Sequence, residues 1–182
     1  MLVHWPPKQG CTDETCPWMQ AQWAAFEQLY HSGLARAIGV SNYCISCLEC
    51  LKKTQKVTPM INQIQLHVGM GDDPEGLLSY CEKEKIQIQA YSPLDVDQGN
   101  GTAELITGNL TNGIGKKHGK SGAQVALKFL VQKGIPLVTK AHTPQYIAED
   151  IDLYGWELEP AEMAQLSAAK SPPGTPSMMC KS

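Results

Sequence analysis

The sequence predicts an α/β fold of parallel strands, about five βα units of a barrel that closes at eight. Three observations carry this expectation. Short apolar segments of strand length recur five times, each followed by an amphipathic helix, at spacings of roughly 25 to 50 residues. No glycine-rich phosphate loop follows the first of them, which argues against a doubly wound nucleotide fold. Polar residues fall at the C-terminal ends of the segments, where a parallel barrel gathers its chemistry.

The elements follow in order. Residues 2–5 read as a buried strand stopped by Pro6-Pro7. A loop with Gly10, Thr12 and Pro17 leads to a helix over 19–32, where Trp23, Phe26, Leu29 and Tyr30 recur at helical spacing and Gly33 suits the C-terminal cap. Residues 35–40 form the second strand, and Ser41-Asn42 suit the cap of a helix carrying Leu48 and Leu51. The third strand spans 60–66, and a helix over 74–85 follows Asp72-Asp73. The fourth strand, 86–92, ends at Pro93.

Gly99-Asn100-Gly101 marks a loop, and Gly113 and Gly115 weaken a helix over 111–118. Ser121 caps a stronger helix through Lys133, with Val125, Ala126, Phe129 and Leu130 as its buried stripe and Gly134 at its end. Residues 135–139 form the fifth strand. Thr143-Pro144 opens a helix in the cap-then-proline pattern, and Pro160 opens the last one. Residues 171–177 hold three prolines and a glycine and read as an extended tail, continuing to 182.

Composition narrows the function classes. A chain of 182 residues, 42% hydrophobic, can bury one good core. A net charge of -3 without a basic stripe argues against a nucleic-acid partner. No apolar run approaches the roughly 20 residues of a membrane span. Neither a basic n-region nor an apolar h-region follows Met1, so a cytoplasmic protein is expected. Seven cysteines in a chain of this size then read as reduced thiols. Cys44, Cys47 and Cys50 line one side of the second helix, but no fourth ligand follows at a recognised metal or iron–sulfur spacing. They are read as buried or half-buried free thiols, and no metal site is assigned. His31 and His118 read as solvated on helix surfaces; His67 falls in a loop with no assigned role.

The polar residues at the five strand ends are His4, Ser41-Asn42, Gln63, Tyr91-Ser92 and Lys140. Any one of them would pass as a cap or a satisfied polar group; five in succession point to one shared site. Leu2-Val3-His4-Trp5-Pro6 resembles the fourth strand of the aldo-keto reductases, and Arg36-Ala37-Ile38-Gly39-Val40-Ser41-Asn42 the fifth. Asn62-Gln63-Ile64 resembles the sixth, Ala90-Tyr91-Ser92-Pro93-Leu94 the seventh, and Lys140 with Thr143-Pro144 and Ile147 the eighth. His118-Gly119-Lys120-Ser121 and Gln124-Val125-Ala126-Leu127 resemble the helices before that last strand. The likeness runs from Leu2 to about Leu166.

The resemblance implies an incomplete (β/α)8 TIM barrel, a single reductase domain over 1–182 that is N-terminally truncated, with the tail over 171–182. It implies NADPH-dependent reduction of aldehydes and ketones, with a small-molecule carbonyl as substrate. By position, Ser41, Asn42 and Gln63 hold the nicotinamide carboxamide and Tyr91 stacks on the ring. Ser92 and Leu94 line the pyrophosphate path; Lys140, Thr143, Glu149 and Asp150 meet the adenosine end. Of the family's catalytic aspartate, tyrosine, lysine and histidine, only the histidine has a counterpart, His4, and Trp5 lines the substrate pocket. NADH is the alternative cofactor, because Tyr146 and Ala141 stand where the family usually has an arginine and a serine for the 2′-phosphate. Asp150 also replaces a usual asparagine. A truncated, non-catalytic nucleotide-binding or interaction protein is the alternative function. Open barrel edges lead to the further expectation of self-association.

Overall fold

A computed structural model describes residues 1–6, 11–95 and 102–176. Five strands, β1 (Leu2–Val3), β2 (Gly39–Ser41), β3 (Ile61–Gln65), β4 (Gln87–Tyr91) and β5 (Leu137–Val138), follow one another in one sheet in chain order. The registered pairs are parallel. Helices α1 (Cys16–His31), α2 (Ile45–Lys52) and α3 (Leu77–Lys83) come before β4. After it come α4 (Ala103–Thr107), α5 (Asn109–His118), α6 (Gly122–Gln132), α7 (Pro144–Ile151) and α8 (Pro160–Ala168). Strand order equal to chain order is what right-handed βα units produce, so the expected α/β architecture holds. The chain divides into two compact units.

The first unit comprises Met1–Ile64 and Glu75–Ile88 with the chain from Pro176. Leu2 pairs with Gly39 and Val3 with Val40; Val40 pairs in turn with Asn62, and Ser41 with Gln63. Val3, Ile38, Val40, Tyr43, Leu48, Leu51 and Ile64 form its buried centre. On α1 the buried stripe is Cys16, Met19, Trp23 and Glu27, while Phe26, Leu29 and Tyr30 are half-buried at its flank. Trp23 Nε1 donates to Val57 O at 3.0 Å. The buried Glu27 carboxylate accepts from Lys56 N (2.6 Å) and Val57 N (2.9 Å), so an acidic residue inside the stripe is satisfied by the backbone of a turn.

The second unit comprises Gln65–Pro74 and Gln89–Thr175. Ala90 pairs with Leu137 and Tyr91 with Val138. Its centre is α6, where Val125, Ala126, Leu127, Phe129 and Leu130 are buried. Ser121 caps the helix as expected, in a full capping box: Ser121 Oγ accepts from Gln124 N at 3.2 Å, and Gln124 Oε1 accepts from Ser121 N at 3.0 Å. The glycines in α5 do not break it. A Cβ on Gly115 would collide with the carbonyl of Lys120, where the chain folds back after Gly119, so that glycine is required for space.

Several expectations change. Ser41 lies within β2, and α2 is instead capped at Cys44. The helix expected over 74–85 is a 3-10 turn, Pro74–Gly76, followed by α3, because Glu75 (φ 59°) and Gly76 (φ 68°) take left-handed backbone. The short helix α4, capped by Thr102, has no sequence expectation behind it. Pro7, Gly10 and Gly99-Asn100-Gly101, with residues 177–182 of the expected tail, lie outside the described residues; 171–176 carry no helix or strand. The cysteines are not all free thiols: Cys11 is bridged to Cys47 (Cα–Cα 5.1 Å) and Cys16 to Cys50 (Cα–Cα 5.7 Å). Cys44, Cys47 and Cys50 therefore do not act as one row; Cys50 turns to α1, and Cys44 and Cys47 meet Cys11. Cys81 is buried and forms no disulfide.

His118 is not a solvated surface histidine. Its Nε2 lies 2.7 Å from Glu162 Oε2, and its ring packs 5.4 Å from that of Trp156. Glu162 is 2% exposed and also accepts from Lys117 Nζ (3.2 Å) and Glu159 N (3.0 Å). Burial alone would push the Glu162 carboxyl up, but the bonds from His118, the Glu159 amide and Lys117 outweigh it and hold the carboxyl below the usual range. A lowered folded-state value means that this carboxylate stabilises the fold above the ordinary carboxylate range, and that its contribution fades as pH falls through the lowered value. Glu162→Gln is expected to cost about 2–3 kcal/mol at neutral pH. Urea melts at pH 7 and pH 3 should show that difference shrinking in acid.

Candidate functional site

In the first unit the ends of β1, β2 and β3 are tied side by side. Asn42 follows β2 with φ 62°, a left-handed position that asparagine tolerates better than most residues. That turn aims its side chain back across the sheet. Asn42 Nδ2 donates to His4 O and to Ser41 Oγ, each at 3.0 Å. Ser41 Oγ donates to Gln63 O at 2.8 Å, and Asn42 N donates to the same carbonyl at 2.9 Å. Ser41 and Asn42 are buried, Gln63 is half-buried, and His4 is exposed beyond the end of β1. The His4 ring lies 5.0 Å from the half-buried ring of Trp5. Four of the residues singled out from the sequence, His4, Ser41, Asn42 and Gln63, are thus joined by hydrogen bonds, with Trp5 against the first.

Asn62, next to Gln63, points to the opposite face. It is fully buried, donates Nδ2 to Tyr43 O (2.7 Å) and accepts from Tyr43 N (3.3 Å). Alternation along β3 therefore gives Asn62 to the core and Gln63 to the other face. On β4 the same rule buries Ile88 and Ala90 and leaves Gln89 and Tyr91 half-buried.

In the second unit Tyr91 ends β4, and its carbonyl accepts from Leu66 N at 3.3 Å. Burial pushes its hydroxyl above the ordinary phenol range, so the ring is neutral at physiological pH. Ser92 (φ 49°) and Asp95 (φ 63°) turn the chain sharply after the strand, with Asp95 N donating to Ser92 O at 2.9 Å. Beside this turn His67, expected only as a loop residue, is buried; its Nδ1 donates to Val68 O (2.8 Å), and Gln65 Nε2 donates to Asp95 Oδ1 (3.3 Å).

A cavity of about 550 Å³ in this unit brings together Leu94, Lys140, Glu149 and Asp150, and also Ala141, His142 and Tyr146. Its wall includes the start of α6 at Ser121–Ala123. Glu149 is fixed there: Oε2 accepts from Ser121 Oγ (3.1 Å), and Oε1 accepts from Gln145 Nε2 (3.0 Å). Asp150 is pushed up, first by burial and then by the charge of Glu149. Lys140, His142 and Tyr146 are exposed at the rim. Thr143 is placed differently from the rest. Its hydroxyl accepts from Tyr146 N at 3.3 Å as the cap of α7, and it does not line the cavity. Ser121 and Gln145, which hold Glu149, are supporting residues that the strand-end pattern did not reach. The capping motif marked Ser121 only as a helix start.

A cavity lined by one cation, Lys140, and by one fixed carboxylate, Glu149, suits a ligand bearing both phosphate and hydroxyl groups. Residues 1–171 match the model of the aldo/keto reductase family. The glyoxal reductase of Bacillus subtilis is 35% identical over 167 residues, which is 92% of this chain and 55% of that protein. A probable NAD(P)H-dependent D-xylose reductase of Aspergillus fumigatus is 34% identical over 158 residues, 82% of this chain and 50% of that protein. Among solved structures, an aldo-keto reductase from a Medee basin deep-sea metagenome library superposes with TM-score 0.81 at 30% identity, covering 93% of this chain and 58% of its own. An aldo/keto reductase from Brucella melitensis gives TM-score 0.77 at 31% identity, with 91% and 58% covered. The chain spans about half the length of the curated relatives it matches.

Asn42→Ala should remove the donor to His4 O and Ser41 Oγ while keeping a Cβ at a left-handed position. An expected loss of about 2 kcal/mol combines both effects. Asn42→Gly should lose roughly half as much, since glycine keeps the backbone geometry at little cost. Urea unfolding of the two variants, side by side, measures the split.

Proposed function

The chain belongs to the aldo/keto reductase family, and from that membership we propose that the whole protein reduces small aldehydes and ketones to alcohols, with NADPH as the donor and NADH as a second one. The observation that carries this reading is the hydrogen-bonded row of His4, Asn42, Ser41 and Gln63 at the ends of adjacent parallel strands. A bound nicotinamide nucleotide supplies the hydride. His4 orients the substrate carbonyl from the exposed end of β1, and Trp5 lines the substrate pocket beside it. Ser41, Asn42 and Gln63 hold the carboxamide, whose donors and acceptors their own amides and hydroxyl match.

Tyr91 offers its ring face to the nicotinamide; a hydroxyl pushed up by burial suits a stacking platform rather than a proton donor. Ser92 and Leu94 follow the pyrophosphate, and Lys140, Thr143, Glu149 and Asp150 take the adenosine end. A fixed Glu149 carboxylate suits ribose hydroxyls, while Lys140 suits phosphate. Tyr146, 56% exposed at the rim, has no cation to clamp a 2′-phosphate. We place the protein in the cytoplasm, with neither nucleic acid nor membrane as a partner; no helix among the described residues is long and apolar enough to cross a membrane. The exposed Val138, Ile147, Ile151 and Tyr154 support self-association when this face has no cover.

Two measurements test the reading. With the purified 182-residue chain, NADPH oxidation by common aldehydes should be absent, because the family's tyrosine general acid has no counterpart here and positioned acid catalysis contributes ~10²–10⁴. Aldehyde-dependent turnover that is abolished by changing His4 or Tyr91 would contradict this. Nucleotide binding without turnover in the whole protein would favour the non-catalytic alternative. In the whole protein Tyr146→Arg should tighten NADPH more than NADH, by about tenfold in ratio for one charge-assisted contact of roughly 1.4 kcal/mol. An unchanged ratio would place the 2′-phosphate elsewhere, with His142 the next candidate.

A further inference from the structure

The turn that leaves β4 is held from two sides by groups outside the strand-end row. Its backbone is closed first: Asp95 N donates to Ser92 O, and Thr102 N, from the cap of α4, donates to Leu94 O, each at 2.9 Å. Asp95 takes left-handed backbone (φ 63°), and its side chain reaches the end of β3. There Oδ1 accepts from Gln65 Nε2 at 3.3 Å and lies 3.5 Å from His67 Nε2. Gln65 and His67 are buried, and the Asp95 side chain is 17% exposed.

His67 is fixed in its turn. Val68 O can only accept, so Nδ1 carries a proton and donates it there at 2.8 Å. In the neutral ring Nε2 then presents a lone pair, 3.5 Å from Gln65 Nε2. The two N–H bonds of one amide thus meet two acceptors, the Asp95 carboxylate and the His67 ring. Backbone near the C-terminus shuts the far side: a Cβ on Gly174 would stand 2.7 Å from His67 Nε2.

We propose that Gln65 and Asp95 are positioning residues for the nucleotide, an inference that rests on the reading of Ser92 and Leu94 as the pyrophosphate path. Leu94 lines the cavity of about 550 Å³, and so do Ile106 and Thr107 of α4, the helix to whose cap the Leu94 carbonyl is tied. Asp95 is the next residue, so the Gln65 amide ties this wall to the end of β3. A carboxylate swinging free one residue from a phosphate path would repel the phosphate. The Gln65 amide and the His67 ring hold it on the β3 side instead. Aspartate, asparagine and glycine all tolerate left-handed backbone, so the turn can be kept while its side chain is changed.

The test is NADPH affinity in the whole protein, read as quenching of protein fluorescence at equilibrium. Asp95→Gly keeps the backbone and deletes the carboxylate, while Gln65→Met deletes the amide and leaves the carboxylate loose. Each should weaken NADPH by about tenfold, the loss of one charge-assisted hydrogen bond. Asp95→Asn retains both the acceptor oxygen and the backbone, and should stay within about threefold of the parent. Because the two residues act through each other, the double variant Gln65→Met, Asp95→Gly should be no weaker than the worse single one. Parent-like affinity in Asp95→Gly, or losses that multiply in the double variant, would overturn the anchor and leave the nicotinamide-nucleotide reading standing. A parent protein that binds no NADPH or NADH would overturn that reading, and the anchor with it.

Discussion

The side-chain amide of Asn42 reaches His4 O and Ser41 Oγ at 3.0 Å each, and Ser41 Oγ reaches Gln63 O at 2.8 Å, so three neighbouring parallel strands end level with one another. Parallel pairing alone does not secure this. β1 is only two residues long and β2 only three, too short for ladder bonds to fix where each chain turns away. The left-handed backbone at Asn42 is what lets one side chain span the gap, and the buried amide would be costly if either partner were lost. Strand-end residues can act on one ligand only if their separation is fixed, and here a buried polar link fixes it.

Much of this was legible in the sequence for physical reasons that can be named. The cap at Ser121, the cap-then-proline start of α7, the proline that opens α8 and the glycine after α1 are local signals, and each appears where its chemistry requires it. The strand ends were legible because alternation along a strand puts Gln63 and Tyr91 on the face opposite the core. What stayed hidden depends on partners distant in sequence. Glu27 looks like a solvated charge until the amides of Lys56 and Val57 come to it. His118 and Glu162 are 44 residues apart. Helix α4 is five residues long, shorter than a periodicity can register.

The cysteines show the same limit from another side. Spacing along α2 placed Cys44, Cys47 and Cys50 in one row, yet a helix that meets a loop and a second helix divides such a row among different neighbours. Cys50 turns to Cys16 on α1, and Cys47 to Cys11 in the loop before it. Gln20, one turn along α1, donates to Cys50 O at 2.9 Å and holds the same junction by a second means. Sulfur count and spacing describe a single element, whereas sulfur chemistry is decided by the element packed against it.

Polar anchoring and ligand choice occupy separate residues around the cavity of the second unit. Glu149 is held by Ser121 and Gln145, and Gln124 of the same capping box donates to Glu149 O and Asp152 O, so the start of α6 and the end of α7 form one hydrogen-bonded joint. Changing Ser121 disturbs a helix cap and a carboxylate together. Lys140, His142 and Tyr146 line the same cavity but are exposed. Substitution at such positions usually moves stability by less than about 0.5 kcal/mol. Under the proposed reading, the groups that distinguish a phosphate from a hydroxyl are the ones the fold can exchange most freely, and cofactor preference can shift there without loosening the joint that positions Glu149.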